Sequence, residues 1–146
     1  MDRPFTIVLL DDDEEECVLI SSVVVKEWPD VVLQCIHSGA EFWNYLETAE
    51  TPPGLVMMDL NLPVESGYEH LKRLRKDKRF QAIPVIVYTG SPSEEDVAAC
   101  YEAGATAYLT KPDDLYGYRD MMHHIRRFWI DTPRPSGKIN PALPNN

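Results

Sequence analysis

Positive charge is scarce in this chain. Its 146 residues carry 14 Lys and Arg against 24 Asp and Glu, a formal charge of −10. A protein that grips a phosphate backbone normally presents a basic stripe. None is visible, so direct binding to DNA, RNA or an anionic membrane surface is not expected. Long apolar runs are missing as well, and nothing approaches the roughly 20 residues of a membrane span. Met1-Asp2-Arg3-Pro4 leads into a short, mostly apolar stretch that ends in a block of acids, too short and too acidic for a secretory signal. Cysteine is limited to Cys17, Cys35 and Cys100, far apart and without a C-x-x-C pair. They are expected to be small buried hydrophobes in a reducing, cytoplasmic compartment. Histidine offers no metal spacing: His37 and His70 are isolated, and the adjacent His123 and His124 would point about 100° apart on a helix. The G-x-x-x-x-G-K-[ST] pattern is absent, which excludes a P-loop nucleotide hydrolase.

What remains is an ordinary globular composition, 44% hydrophobic and 26% charged, of a length that suits one compact domain. Five short apolar runs read as strands: Phe5–Leu10, Val31–Ile36, Leu55–Met58, Pro84–Tyr88 and Ala107–Leu109. Most are continuous rather than alternating, the pattern of strands buried on both faces of a parallel sheet. Helical spacing lies between them. Cys17, Ile20, Val23/Val24 and Trp28 form one stripe, and Phe42, Trp43 and Leu46 follow Ser38-Gly39. Leu71 and Leu74 fall between Gly67 and Lys78. Ser93 with Asp96 reads as a helix start and Gly104 as a left-handed helix end. Leu115, Tyr118, Met122, Ile125 and Trp129 step 3-4-3-4 along one final helix. Strand followed by helix, five times over, predicts an α/β fold with right-handed crossovers, a flavodoxin-like (βα)5 doubly wound parallel sheet of order 2-1-3-4-5. The expected domain covers 4–130. The Pro-rich stretch 131–146 can neither continue a helix nor build a core, and reads as a tail that is either disordered or laid along a surface.

The run Asp11-Asp12-Asp13-Glu14-Glu15-Glu16 is the most unusual feature. The glutamates suit a helix start, where the dipole favours acids. Asp11 and Asp12 instead end a strand. In this sheet order strands 1 and 3 flank the switch point, where ligands bind beyond the carboxyl ends. Strand 3 ends in Met58-Asp59-Leu60-Asn61, so Asp59 should face Asp11 and Asp12. Two unit charges about 4 Å apart repel by roughly 4 kcal/mol at an effective dielectric of 20, so a divalent ion should bind or pKa values should rise. Oxygen-only ligands open to water suit Mg²⁺ better than Zn²⁺. Strands 4 and 5 deliver Thr89-Gly90 and Lys111-Pro112 to the same edge. A carboxylate nucleophile, a metal and donors for phosphoryl oxygens are what phosphoryl transfer requires.

With those residues in place, the sequence resembles the CheY-like receiver domains of two-component response regulators. The resemblance covers about residues 4–130 and rests on Asp11-Asp12, Asp59, Pro63, Gly67, Thr89, Tyr108 and Lys111-Pro112. It implies a phosphoacceptor switch rather than a turnover enzyme. Asp59 would accept a phosphoryl group from a sensor histidine kinase. Asp12, Asp59 and the Asn61 carbonyl would hold Mg²⁺ directly, and Asp11 through water. Lys111 would pair with the phosphoryl group and Thr89 would hydrogen-bond it. Gly90 would leave it room, and Tyr108 would be the switch aromatic of a helix 4–strand 5–helix 5 face. Asn61 and Ser91 occupy positions that tune dephosphorylation, and Asp13 adds a carboxylate beside the site. Phe128-Trp129 and the Pro-rich tail resemble stand-alone regulators associated with bacterial phytochromes. A homodimer through helices 4 and 5 is expected. A flavodoxin would need a Ser/Thr/Gly-rich loop where this chain has acids. An Asp-nucleophile phosphatase and a receiver-fold adaptor, acting by protein contacts with phosphorylation incidental, remain as rivals.

Overall fold

The computed structural model describes residues 3–90 and 93–132. Strands and helices alternate: β1 (Phe5–Leu10), α1 (Glu14–Glu27), β2 (Val31–Ile36), α2 (Gly39–Thr48), β3 (Leu55–Asp59), α3 (Gly67–Lys76), β4 (Val85–Thr89), α4 (Glu94–Ala103), β5 (Ala107–Thr110) and α5 (Leu115–Ile125). The strands form one sheet in the order β2-β1-β3-β4-β5, every neighbouring pair parallel. This is the flavodoxin-like order expected from the sequence. β3, β4 and β5 each run one residue past the apolar run that marks them, taking in Asp59, Thr89 and Thr110.

Successive strand side chains point to opposite faces, and two cores result. Val8, Leu10, Val56, Met58, Val85 and Val87 pack under α2, α3 and α4 through Phe42, Leu46, Leu71, Leu74 and Cys100. Ile7, Leu9, Leu55, Met57, Ile86 and Tyr88 pack under α1 and α5 through Ile20, Val24, Tyr118, Met122 and Ile125. β3 and β4 are therefore buried along their whole length, which is why their sequences show no alternation. Side-chain caps start all five α-helices, from Asp13, Ser38, Ser66, Ser93 and Asp114. Each such cap satisfies an otherwise orphaned N–H and contributes about 1 kcal/mol. Gly104 ends α4 at φ 109°, a left-handed conformation that a Cβ would strain.

Two expectations need correction. Cys17 and Cys35 are not independent buried thiols: they form a disulfide with Cα atoms 6.1 Å apart. The helix–strand crossover carries Cys17 of α1 over Cys35 of β2, a proximity that a separation of 18 residues conceals. The bond removes cysteine usage as a reason to infer a reducing compartment. Cys100 is free and buried, as expected. The final helix also does not continue as α through Trp129. Residues Arg126–Ile130 widen into a π-helical turn, closed by Asp131 N–H on the Arg126 carbonyl at 2.8 Å. Arg126 is pinned there, its guanidinium forked onto Asp30 at 3.0 and 2.6 Å and stacked over Trp28. Leu115, the first residue of the expected stripe, is exposed. The tail 133–146 lies outside the described residues, as does Ser91.

Candidate functional site

Register alone brings the acids together. Leu10 of β1 pairs with Met58 of β3, so the next residues, Asp11 and Asp59, stand level at the carboxyl edge of the sheet. Asp11 prolongs the ladder by donating its N–H to the Ile36 carbonyl at 3.1 Å. One carboxylate oxygen from each of Asp11, Asp12 and Asp59 lies within 4.8 Å of the others. Asp11 and Asp59 are buried, and Asp12 is exposed. Lys111, carried in from the end of β5, places Nζ 3.1 Å from Asp11 Oδ2 and 3.4 Å from Asp59 Oδ2.

Burial of Asp59 pushes its pKa up to about 6, with the Asp11 charge adding to the rise against the Asn61 N–H and Lys111, which lower it. Asn61 N–H donates to Asp59 Oδ1 at 3.2 Å. Burial pulls Lys111 down, but the Asp11 and Asp59 carboxylates more than offset this and hold the ammonium above its ordinary value. Its charge is thereby secured at neutral pH.

Thr89 is buried at the end of β4 and its Oγ1 accepts a hydrogen bond from Asn61 Nδ2 at 3.1 Å. At Gly90 an added Cβ would meet nothing within 4 Å among the described residues. Gly67 is constrained instead: a Cβ there would run into the Asp59 carbonyl oxygen. The start of α3 can close against β3 only because residue 67 has no side chain. Tyr108 of β5 packs against the α2–α3–α4 core, its hydroxyl buried without a hydrogen-bond partner among the described residues.

Several partners of this site carry no sequence signal that points to them. Asp13 serves as the α1 cap, accepting Glu15 N–H at 2.9 Å, rather than as a fourth acid in the cluster. Glu16, expected to be a solvated helix-start acid, is buried and accepts the Tyr118 hydroxyl at 2.6 Å. Tyr88 is fully buried and its hydroxyl donates to Asp11 Oδ2 at 2.6 Å. His37 Nδ1 lies 3.0 Å from the Asp11 carbonyl oxygen. Only parity hinted at the Tyr88 contact: residues 7, 9 and 11 of the first strand and 86 and 88 of the fourth share a face.

The donor set fits a hard divalent cation. It consists of carboxylate oxygens at one solvent-open edge, with no sulfur or imidazole in the cluster, and such ligands suit Mg²⁺ or Mn²⁺.

Comparison with known proteins agrees with this geometry. The profile of the response regulator receiver domain matches residues 7–123. The chain belongs to the response regulator receiver family. It is 33% identical over 134 residues to response regulator Rcp1 of Synechocystis sp., covering 88% of this chain and 91% of that protein. The crystal structure of Mn²⁺-bound Rcp1 superposes with a TM-score of 0.81 at 31% identity, covering 91% of this chain and all of that one. The structure of the phosphorylated cyanobacterial phytochrome response regulator RcpA gives 0.83 at 26% identity, covering 90% and 97%. The protein is thus a receiver-domain response regulator of two-component signalling, a family of phosphoacceptor switches that bind a divalent metal in an acidic pocket. No helix among the described residues is long and apolar enough to cross a membrane.

Proposed function

We propose that this receiver is a cytoplasmic response regulator that accepts a phosphoryl group from a histidine kinase on Asp59. The observation that carries the reading is the position of Asp59 at the end of β3, beside Asp11 and Asp12 and 3.4 Å from the Lys111 ammonium. The Asp59 carboxylate oxygen attacks phosphorus of the donor phosphohistidine. The P–N bond breaks, the imidazole keeps the electron pair and takes up a proton, and Asp59 becomes an acyl phosphate. Mg²⁺ held by Asp11, Asp12, Asp59 and the Asn61 carbonyl would supply positive charge against the phosphoryl oxygens. Lys111, within reach of both Asp11 and Asp59, adds a second positive charge.

The new group brings about −1.5 to −2 charge and strong acceptor oxygens. Thr89 leaves Asn61 and turns its hydroxyl to one of them. Tyr108, whose buried hydroxyl lacks a partner among the described residues, is repositioned with it, and the α4–β5–α5 face changes shape. The likeness to RcpA, whose structure is that of a phytochrome response regulator, supports a kinase of the phytochrome type as donor. The β5–α5 side of that face supports a homodimer. Leu109, Met121, Ile125, Phe128 and Trp129 line an apolar groove of about 670 Å³ between β5 and the end of α5.

Incubation with acetyl phosphate and Mg²⁺, read by intact mass, tests the proposal. The wild type gains one phosphoryl group and Asp59→Asn does not. An Asp59→Asn protein that still gains the group refutes the assignment. Wild type that never gains it, yet binds its kinase, favours the adaptor reading.

A further inference from the structure

We infer that Tyr88 is a positioning residue for the cation site: its hydroxyl fixes the Asp11 carboxylate in the orientation that holds a divalent ion. The inference rests on the reading of Asp11, Asp12 and Asp59 as that site.

Tyr88 is a residue of the α1–α5 core, packed with Ile86, Met57 and Met122. Core packing alone would be met by an apolar ring. A phenol there carries a polar atom that must find a partner when buried, and this one is aimed at a single acceptor. The hydroxyl donates to Asp11 Oδ2 at 2.6 Å, the length of a charge-assisted O–H···O⁻ bond.

Asp11 is held from three directions. Its Oδ1 accepts the Asp13 N–H at 2.9 Å. Its Oδ2 accepts from Tyr88 and faces Lys111 Nζ at 3.1 Å. Of these holders Lys111 is the one with another task, since an incoming phosphoryl group draws its ammonium toward new oxygens. Once Lys111 departs, Tyr88 is the remaining donor on Oδ2. The Lys111 ammonium also lies 5.0 Å from the Tyr88 ring centroid, so the ring lies beside that path. Donors of this kind behind a metal ligand set its orientation, and their loss commonly costs tenfold or more in affinity.

Mn²⁺ affinity, read from the electron paramagnetic resonance of the free ion, tests this. Tyr88→Phe and Tyr88→Met pack differently but both lack the hydroxyl. Each is expected to weaken Mn²⁺ binding by about tenfold and to the same extent. In an Asp11→Asn background neither is expected to weaken it further, because the group they position is gone. Urea unfolding in EDTA reports separately that the variants are folded. Equal or tighter Mn²⁺ binding by Tyr88→Phe overturns the inference. So does a loss of the same size in the Asp11→Asn background, or a loss confined to the Met variant, which marks a packing role. Wild type that binds no Mn²⁺ refutes the cation site itself, and the inference with it.

Discussion

Asn61 Nδ2 donates to Thr89 Oγ1 at 3.1 Å, tying the loop after β3 to the end of β4. The contact uses a lone pair of the hydroxyl whose O–H phosphorylation is proposed to recruit. Removing that hydroxyl should therefore uncouple occupancy of Asp59 from the response of the face. In Thr89→Ala, beryllofluoride with Mg²⁺ is expected to bind as in wild type, while the amide resonances around Tyr108 and α4 stay near their unliganded positions. Full wild-type shifts in the variant would contradict a switching role for Thr89.

The pH dependence follows from Asp59. An ordinary Asp titrates near 3.8, and in the folded protein Asp59 is pushed to about 6. The native state therefore holds its proton more tightly than the unfolded chain, and stability falls as pH rises from near 4 to above 6. The full difference has an upper bound of about 3 kcal/mol, and the exposed edge of the site lowers it. In EDTA, Asp59→Asn is expected to stabilise the protein by about 1–3 kcal/mol at pH 7.5. The gain should shrink toward zero near pH 4, by urea unfolding at each pH. A gain independent of pH would show that Asp59 is not the strained acid.

The Cys17–Cys35 bond closes a loop across α1 and the edge strand, with a separation of 18 residues. Cross-links of about this span stabilise by roughly 3 kcal/mol. Reduction, or Cys17→Ser with Cys35→Ser, is expected to lower unfolding stability by about that amount. Unchanged stability after reduction, with free thiols verified by alkylation, would contradict it.

The groove beside β5 leads to an association prediction. Of its lining, Phe128 is exposed and Met121 buried. Sedimentation with beryllofluoride and Mg²⁺ should show a dimer, and Phe128→Glu should return it to monomer by placing a charge in an apolar contact. Wild type that stays monomeric with and without beryllofluoride would remove this face as a dimer surface.

Much of this was legible in the sequence because the information is local. The apolar runs of β1 and β2 match the strands end to end, since both end at polar or turn residues. Asp11, Asp59, Thr89 and Lys111 converge because the strand order puts their strand ends on one edge. What was not legible depends on side chains from distant elements. Glu16 looks like any dipole-favoured acid until Tyr118 of α5 meets it. Tyr88 reads as one more apolar strand residue until its hydroxyl reaches Asp11. The disulfide depends on how α1 lies over β2, and the π-helical turn depends on where Asp30 holds Arg126. No periodicity encodes either.

The most direct test is the chemical location of the phosphoryl group. After phosphotransfer from a histidine kinase, borohydride reduction converts an acyl phosphate to the corresponding alcohol, which peptide mapping locates. Homoserine at position 59 is the predicted result. Homoserine at position 11 or 12 instead, or none anywhere after verified transfer, would contradict Asp59 as the acceptor.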